Sequence, residues 1–431
     1  MGMTGASAPM DSLSDPVDGL TKGFPHGHAM LPIGRIGSMG WRLLDGDVPL
    51  PAAVVREDRL RRNSRWMREF TQANGLLIAP HGKTTMAPWL FSLQMADGAF
   101  AITLATVHQM QVARRHGVRR VIIANQPVGR LAVDACFSAL AESPDFELYC
   151  LADSLEGVAM LADGARRIRP GRPLRVLLEI GFTGGRTGCR DLGGAMQVAR
   201  AIAAADGLTL AGAEAFEGIL ADTREVDGFL ETVVAAARQC EAEGLFEAGR
   251  PIILSAGGTS FFDRVALVFG KAGLGRETLS VIRSGCYLTH DDIGYARHVR
   301  RIVEEGAAVI PEGGLEPALE VWAHVQSRPE PDKAIVTLGK RDAGFDAGLP
   351  VPKLWHPPGG AGAPQPLGRG HALTAMNDQH GHLALPKDSP LRVGDMVCFG
   401  IGHPCTTFDK WRMIYVIDAG YRITGAFRTW F

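Results

Sequence analysis

Lys83 follows an apolar run in Leu76-Leu77-Ile78-Ala79-Pro80-His81-Gly82-Lys83-Thr84-Thr85. A lysine at the end of a buried strand, rather than on a solvated helix face, is a candidate covalent catalyst whose amine can form a Schiff base. Near the other end of the chain stands His403-Pro404-Cys405. In an extended segment the H-x-C spacing turns imidazole and thiolate to one side, where they can reach one ion. Two protein ligands leave positions open for water or substrate, and a thiolate favours zinc over magnesium. Taken alone, H-x-C also describes a buried cysteine beside a loop histidine, so its weight depends on what surrounds it.

The elements that must position these residues are legible as a repeat. Apolar, β-branched-rich runs lie at about 76–80, 100–104, 120–124, 147–151, 174–180, 209–213, 251–255 and 280–283. Between them, Pro88–Met95, Val107–His116, Asp153–Ile168 and Leu192–Ala204 carry apolar residues at three- and four-residue intervals. Strands apolar almost throughout suit a parallel sheet covered on both faces. Eight such units over 57–295, a span of roughly 240 residues close to the ~250 typical of such barrels, predict a (β/α)8 TIM barrel, with a doubly wound sheet as the alternative. Lys83 then stands at the C-terminal mouth of the first barrel strand, where barrel enzymes keep their chemistry.

The rest of the chain reads as β structure. Ala318–Arg328, Lys333–Leu338, Gly381–Leu385, Asp395–Ile401 and Met413–Val416 alternate or carry β-branched residues between Gly- and Pro-rich turns. Residues 31–56 and 296–431 are expected to form one mostly β domain carrying H-x-C, with 357–370 as a mobile loop and 1–30 as a tail of uncertain order.

With 45 Lys and Arg against 46 Asp and Glu, no electrostatic footprint for nucleic acid or a membrane surface exists, and a small-molecule substrate is favoured. No basic start with an apolar core and no long uncharged run is present, so a cytoplasmic location is expected. Seven scattered cysteines read mostly as reduced core residues.

Two glycine-bearing turns follow the last two predicted strands, Gly257-Gly258-Thr259 and Ser284-Gly285-Cys286-Tyr287. Barrels commonly hold a phosphate there through backbone N–H groups, although either turn alone could need glycine only for positive φ. With Pro80-His81-Gly82-Lys83-Thr84, Gly185-Arg186-Thr187-Gly188, Ser255-Ala256-Gly257-Gly258-Thr259, Arg283-Ser284-Gly285-Cys286-Tyr287 and Gln379-His380-Gly381-His382-Leu383 followed by His403-Pro404-Cys405, the chain over about 50–418 resembles the fold-type III, alanine-racemase-like pyridoxal-phosphate enzymes. The likeness is to their D-serine dehydratase/D-threonine aldolase branch.

That resemblance implies pyridoxal 5'-phosphate on Lys83, with Gly257, Gly258, Thr259, Ser284, Gly285 and Cys286 as its phosphate cradle. It places Arg186 on the phenolic side of the ring, where the other reading is a surface arginine. Tyr287 either caps the phosphate or packs; Arg283 has a matching position facing the pyridine nitrogen, but its role stays open, and His81 and His108 stand at the first two mouths. Zinc at His403 and Cys405 would act on a substrate hydroxyl. The implied reaction is dehydration and deamination of a D-3-hydroxy amino acid such as D-serine, giving a 2-oxo acid and ammonia. Retro-aldol cleavage is the runner-up, with racemisation or non-catalytic cofactor binding as further readings. A cysteine at 405, where aldolase-like members carry an acid, favours the dehydratase. The resemblance also implies a homodimer. Cys286 departs from the more usual serine, as do Gly184-Gly185 and Pro404 from the branch's pattern, and Asn125, Gln126, Asp153, Glu217 and Asp346 are candidate pocket residues.

Overall fold

In the computed structural model, which describes residues 13–431, the eight predicted runs become one eight-stranded parallel sheet. Its strands are Leu77–Ile78, Ile102–Leu104, Arg120–Ile123, Glu147–Ala152, Leu174–Ile180, Leu208–Ala215, Ile252–Ala256 and Thr278–Ile282. The last strand pairs with the first. The first meets the second through Phe100 N–H to the Ile78 carbonyl and Thr103 N–H to that of Pro80, at 2.8 and 2.9 Å. The sheet therefore closes into a barrel.

Alternation along each strand sorts side chains into two sets. Ala79, Ala101, Ile122, Leu151, Leu177 and Ile253 pack inside the barrel, while Ile102, Val121, Cys150, Val176 and Leu254 face the surrounding helices. Several helices start where a side chain takes up a free N–H: Thr106, Ser154, Asp191 and Asp222 cap Val107–Arg115, Leu155–Ile168, Leu192–Ala204 and Thr223–Ala242. The helix after the eighth strand, Gly294–Glu305, runs across the expected boundary at 295.

The β domain is a ten-stranded sheet built around Leu319–Glu330, which pairs antiparallel with both Ala52–Arg56 and Met396–Gly400. Ala52–Arg56, a strand before the barrel in sequence, also pairs parallel with Met413–Ile417. Strands Val351–His356, Ala372–Met376 and Ile423–Arg428 add to those expected. The predicted loop 357–370 contributes Gln365–Pro366, paired antiparallel with Leu354 and Trp355 as a short edge strand.

Residues 13–30, expected as a tail, are anchored on this domain. Val17 and Phe24 are buried, Pro16–Val17 pairs with Leu31–Pro32, and the Lys22 ammonium lies 2.7 Å from Asp342 and 3.7 Å from the Trp411 ring centre. Two apolar side chains and a shielded ion pair suffice to order a stretch otherwise polar in composition. The remainder of the expected tail, residues 1–12, lies outside the described residues. Among the described residues, no helix is long and apolar enough to cross a membrane.

Candidate active site

The first barrel strand ends in a tight 3-10 turn, Gly82–Thr84. Gly82 is required there, since a Cβ would stand 2.7 Å from both Ile102 and Phe91. The turn carries Lys83 into a cavity of about 520 Å³ at the barrel mouth, which is also lined by Gly258, Thr259, Arg283, Gly285, His403 and Cys405. The barrel lysine and the β domain's H-x-C residues thus share one cavity.

Gly285 lets the last turn settle against the first: a Cβ there would lie 2.5 Å from the His81 carbonyl oxygen. His81 also lines the cavity, with its Nδ1 buried and unbonded. Burial first, then the cations Lys83, Arg283 and Arg186, hold its imidazole well below the ordinary range and therefore neutral. His108 is exposed.

The turn after the seventh strand holds a carboxylate of the chain itself. Gly257 and Gly258 give their N–H groups to Glu217 at 3.0 and 2.9 Å, and Glu217 is fully buried. Sequence reading placed Glu217 only as a pocket residue; its grip on the glycine turn depends on tertiary proximity. Ser260, which also lines the cavity, hydrogen-bonds His298 at 3.2 Å.

Arg283 is buried, and its guanidinium donates to Ser255 Oγ at 2.7 Å and the Ala215 carbonyl at 2.9 Å, with Glu214 at 2.6 Å. Burial lifts the Glu214 carboxyl to about 8 against the pull of Arg283. Arg186 is exposed, with its guanidinium 4.5 Å from the centre of the Phe216 ring. Below it, Glu179 accepts from Thr187 at 2.6 Å and pairs with Gln126, while Asp153 accepts from Gly188 N–H at 2.9 Å. Asn125 bonds the Ala105 carbonyl. These candidate pocket residues brace turns.

Tyr287, expected beside the phosphate or packed, takes the second role: it is buried in the main core, and its hydroxyl faces Gln94. Tyr295 lines the cavity instead, with its hydroxyl 3.0 Å from Ser284 Oγ. The two tyrosines are eight positions apart, Tyr287 in the 3-10 turn Cys286–Leu288 and Tyr295 at the start of helix Gly294–Glu305.

At the other wall, His403 Nδ1 lies 2.6 Å from Asp346 Oδ2, and Thr406 donates to the other Asp346 oxygen at 2.8 Å. Cys405 Sγ is 3.3 Å from Thr84 Oγ1 and 3.8 Å from Cys286 Sγ. Hydrogen bonding from Cys286, then from His403 and Thr84, keeps the Cys405 thiol well below its usual range despite burial. Cys286 is pushed well above by the same contact and by burial. His403 is raised to about 9, first by Cys405 and then by Asp346, against burial. Pro404 starts a short helix, Cys405–Phe408, so the H-x-C pair sits at a helix start rather than in an extended segment. Among the described residues, no group of three or more His, Cys, Asp or Glu is poised to hold a metal. His380 and His382 are not part of this wall; His382 bonds Asn377.

Residues 55–291 match the model of the family "Alanine racemase, N-terminal domain", and 318–417 that of the "Putative serine dehydratase domain". A 3-hydroxy-D-aspartate aldolase of Paracoccus denitrificans (strain Pd 1222) is 26% identical over 374 residues, covering 83% of this chain and 86% of its own. Among solved structures, the D-threonine aldolase of Filomicrobium marinum superposes with a TM-score of 0.73 at 24% identity, covering 90% of this chain and 97% of its own. The D-threo-3-hydroxyaspartate dehydratase of Delftia sp. HT23 gives 0.68 at 22%, covering 89% and 97%. A cysteine-to-alanine variant of that dehydratase is in the metal-free form.

Proposed function

This chain belongs to the alanine-racemase-like, fold-type III family of pyridoxal-phosphate enzymes, and on that premise we propose that it is a lyase removing the β-hydroxyl of a D-3-hydroxy amino acid, of which D-serine is the simplest. The observation that carries this reading is the shared cavity of Lys83, His403 and Cys405.

The residues present fit the cofactor. Lys83 offers an amine at the mouth, and the glycine turns leave space that a side chain at 285 would take up, since its Cβ would meet His81. Glu217 already holds the Gly257 and Gly258 amides, which moves the proposed phosphate contacts onward to Thr259, Ser284, Gly285 and Cys286, with Ser260 and Tyr295 beside them. When bound, pyridoxal phosphate supplies an aldehyde for the substrate amine and a ring that takes up the electrons left at Cα.

The other wall fits a divalent metal, zinc by ligand type, held by His403 Nε2 and Cys405 Sγ. Asp346 occupies the other ring nitrogen of His403, which points the remaining lone pair away from itself. Two protein ligands leave an open site, and such an ion supplies a Lewis acid to a hydroxyl oxygen.

The remaining steps belong to the chain. Lys83, freed when the substrate amine takes its place, accepts the Cα proton. Neutral His81 and buried Arg283 flank the lysine without competing for that proton. His403 and Cys405 would hold the ion beside the hydroxyl, and the Cβ–O bond breaks with its electrons leaving on oxygen, which takes back a proton from the Lys83 ammonium and departs as water. The released enamine hydrolyses to a 2-oxo acid and ammonia.

The aldolase reading stands second, and it has the support of relatives matched along most of their length whose names are those of aldolases. The Cys405 side chain, standing where aldolase-like members carry an acid, favours dehydration. Incubating zinc-loaded, cofactor-loaded protein with D-serine, D-threonine and D-3-hydroxyaspartate decides between them. A 2-oxo acid with equimolar ammonia is expected; glycine with an aldehyde would establish the aldolase.

A further inference from the structure

Cys286 and Cys405 come from different domains, yet their sulfurs stand 3.8 Å apart. Both line the same open-mouthed cavity. Among the described residues the other cysteines, Cys136, Cys150, Cys189, Cys240 and Cys398, are all buried, and Cys136, Cys189 and Cys240 are pushed up to about 12 by burial. Thr84 touches both sulfurs of the pair, at 3.3 Å from Cys405 and 3.7 Å from Cys286, so the two are held in register by one side chain. The two sulfurs are in van der Waals contact, about 1.8 Å beyond the length of a disulfide bond.

We propose that Cys286 and Cys405 are a modification site: a dithiol that a peroxide converts reversibly to a disulfide, withdrawing the sulfur ligand from the metal wall. One sulfur attacks the peroxide, the O–O bond breaks, and hydroxide leaves, giving a sulfenic acid. The second sulfur then displaces hydroxide from the first, forming S–S and breaking S–O. The two thiols lose two electrons and two protons, and a molecule of hydrogen peroxide becomes two of water. Cys286 is thereby given a role that a serine at its position could not fill.

This inference rests on the proposed metal site for its consequence, the loss of the ion, and not for the bond itself. The test treats the full-length holoenzyme with hydrogen peroxide, counts free thiols, maps cross-linked peptides by mass, and follows released zinc with a chromogenic chelator. The expected result is a peptide joining Cys286 to Cys405, a loss of two thiols per chain, release of the bound zinc, and recovery of all three on adding dithiothreitol. In Cys286→Ser and Cys286→Ala the cross-link should vanish and Cys405 should proceed to irreversible oxidation. Cys405 found as sulfinate in the unaltered protein, with Cys286 still alkylatable, overturns the proposal. A cross-link formed in protein that never binds zinc upholds the dithiol and sinks the metal reading. Bound zinc with no cross-link does the reverse.

Discussion

Thr84 Oγ1 lies 3.3 Å from Cys405 Sγ, so the residue next to Lys83 in the barrel touches the H-x-C turn of the β domain. The position of the candidate lysine and that of the candidate metal ligand are tied through one hydroxyl. A hydrogen bond to a charged group contributes about 1.5–3 kcal/mol. Thr84→Val keeps the shape and removes that bond, so zinc affinity should fall about tenfold to a hundredfold by the same figure. Thr84→Ser should restore most of it. Competition with a chelator measures the difference, and the cofactor's absorbance on Lys83 should survive both changes.

Asp346 acts on the other ligand. Its carboxylate receives His403 Nδ1 and the Thr406 hydroxyl, one on each side of Cys405, fixing both the imidazole tautomer and the turn that presents the sulfur. Losing such a partner typically lowers metal affinity about 10–100-fold. Asp346→Ala should do so with little effect on folding, because the side chain is more than half exposed. Asp346→Asn, whose amide oxygen still accepts the Nδ1 hydrogen, should retain most of the affinity. Equal losses in both variants would remove Asp346 from this role.

Lys83 itself gives the simplest test of the cofactor. Lys83→Ala should abolish the yellow chromophore formed with pyridoxal phosphate and all product formation, leaving the thermal unfolding of the cofactor-free protein unchanged. An intact chromophore in this variant would move the imine to another amine.

The barrel was legible because its strands are buried on both faces, which writes them as unbroken apolar runs such as Leu174–Ile180. Lys83 was singled out by residue type and its place after the first of those runs, and Cys405 by its H-x-C spacing with His403, whose expected extended geometry the helix start replaces. The order of residues 13–30 was not legible, since Val17 and Phe24 are the only buried side chains in a polar stretch that reads as a tail. The packing of Tyr287 against the core was not, because a short turn without regular periodicity carries no information on side-chain direction, and Tyr295 at the start of the next helix drew no notice. Nor could the carboxylate of Glu217 on the Gly257–Gly258 amides be seen, because it joins the loops of neighbouring strands about 40 residues apart.

His290 supplies a pH dependence. It is 2% exposed, with both ring nitrogens buried. Burial, only partly opposed by Asp291, lowers its pKa from the ordinary 6.5. The unfolded chain therefore takes up a proton below about 6.5 that the folded chain refuses, so this contribution to stability is present above that pH and is lost as pH falls. The slope is at most about 1.4 kcal/mol per pH unit. His290 has φ of 51°, a left-handed conformation that asparagine tolerates well. His290→Asn should flatten the fall between pH 6.5 and 5 in denaturant titrations; an unchanged slope would assign the acid sensitivity elsewhere.

The close approach of the first and last barrel loops makes Gly285 an exacting position at the mouth. A methyl group there would stand 2.5 Å from the His81 carbonyl oxygen, 2.6 Å from its Cβ and 2.8 Å from its nitrogen, and two of those three atoms are backbone, which no rotamer change can relieve. Gly285→Ala must therefore push the turn Ser284–Cys286 away from His81, and with it the sulfur of Cys286. Overpacking of this kind costs about 1–3 kcal/mol. The expected outcome is a lower unfolding temperature together with weaker pyridoxal-phosphate binding in an absorbance titration, while free pyridoxal, which lacks the phosphate, loses little. Equal losses for the two compounds would mean that the turn shapes the lysine pocket rather than the phosphate cradle.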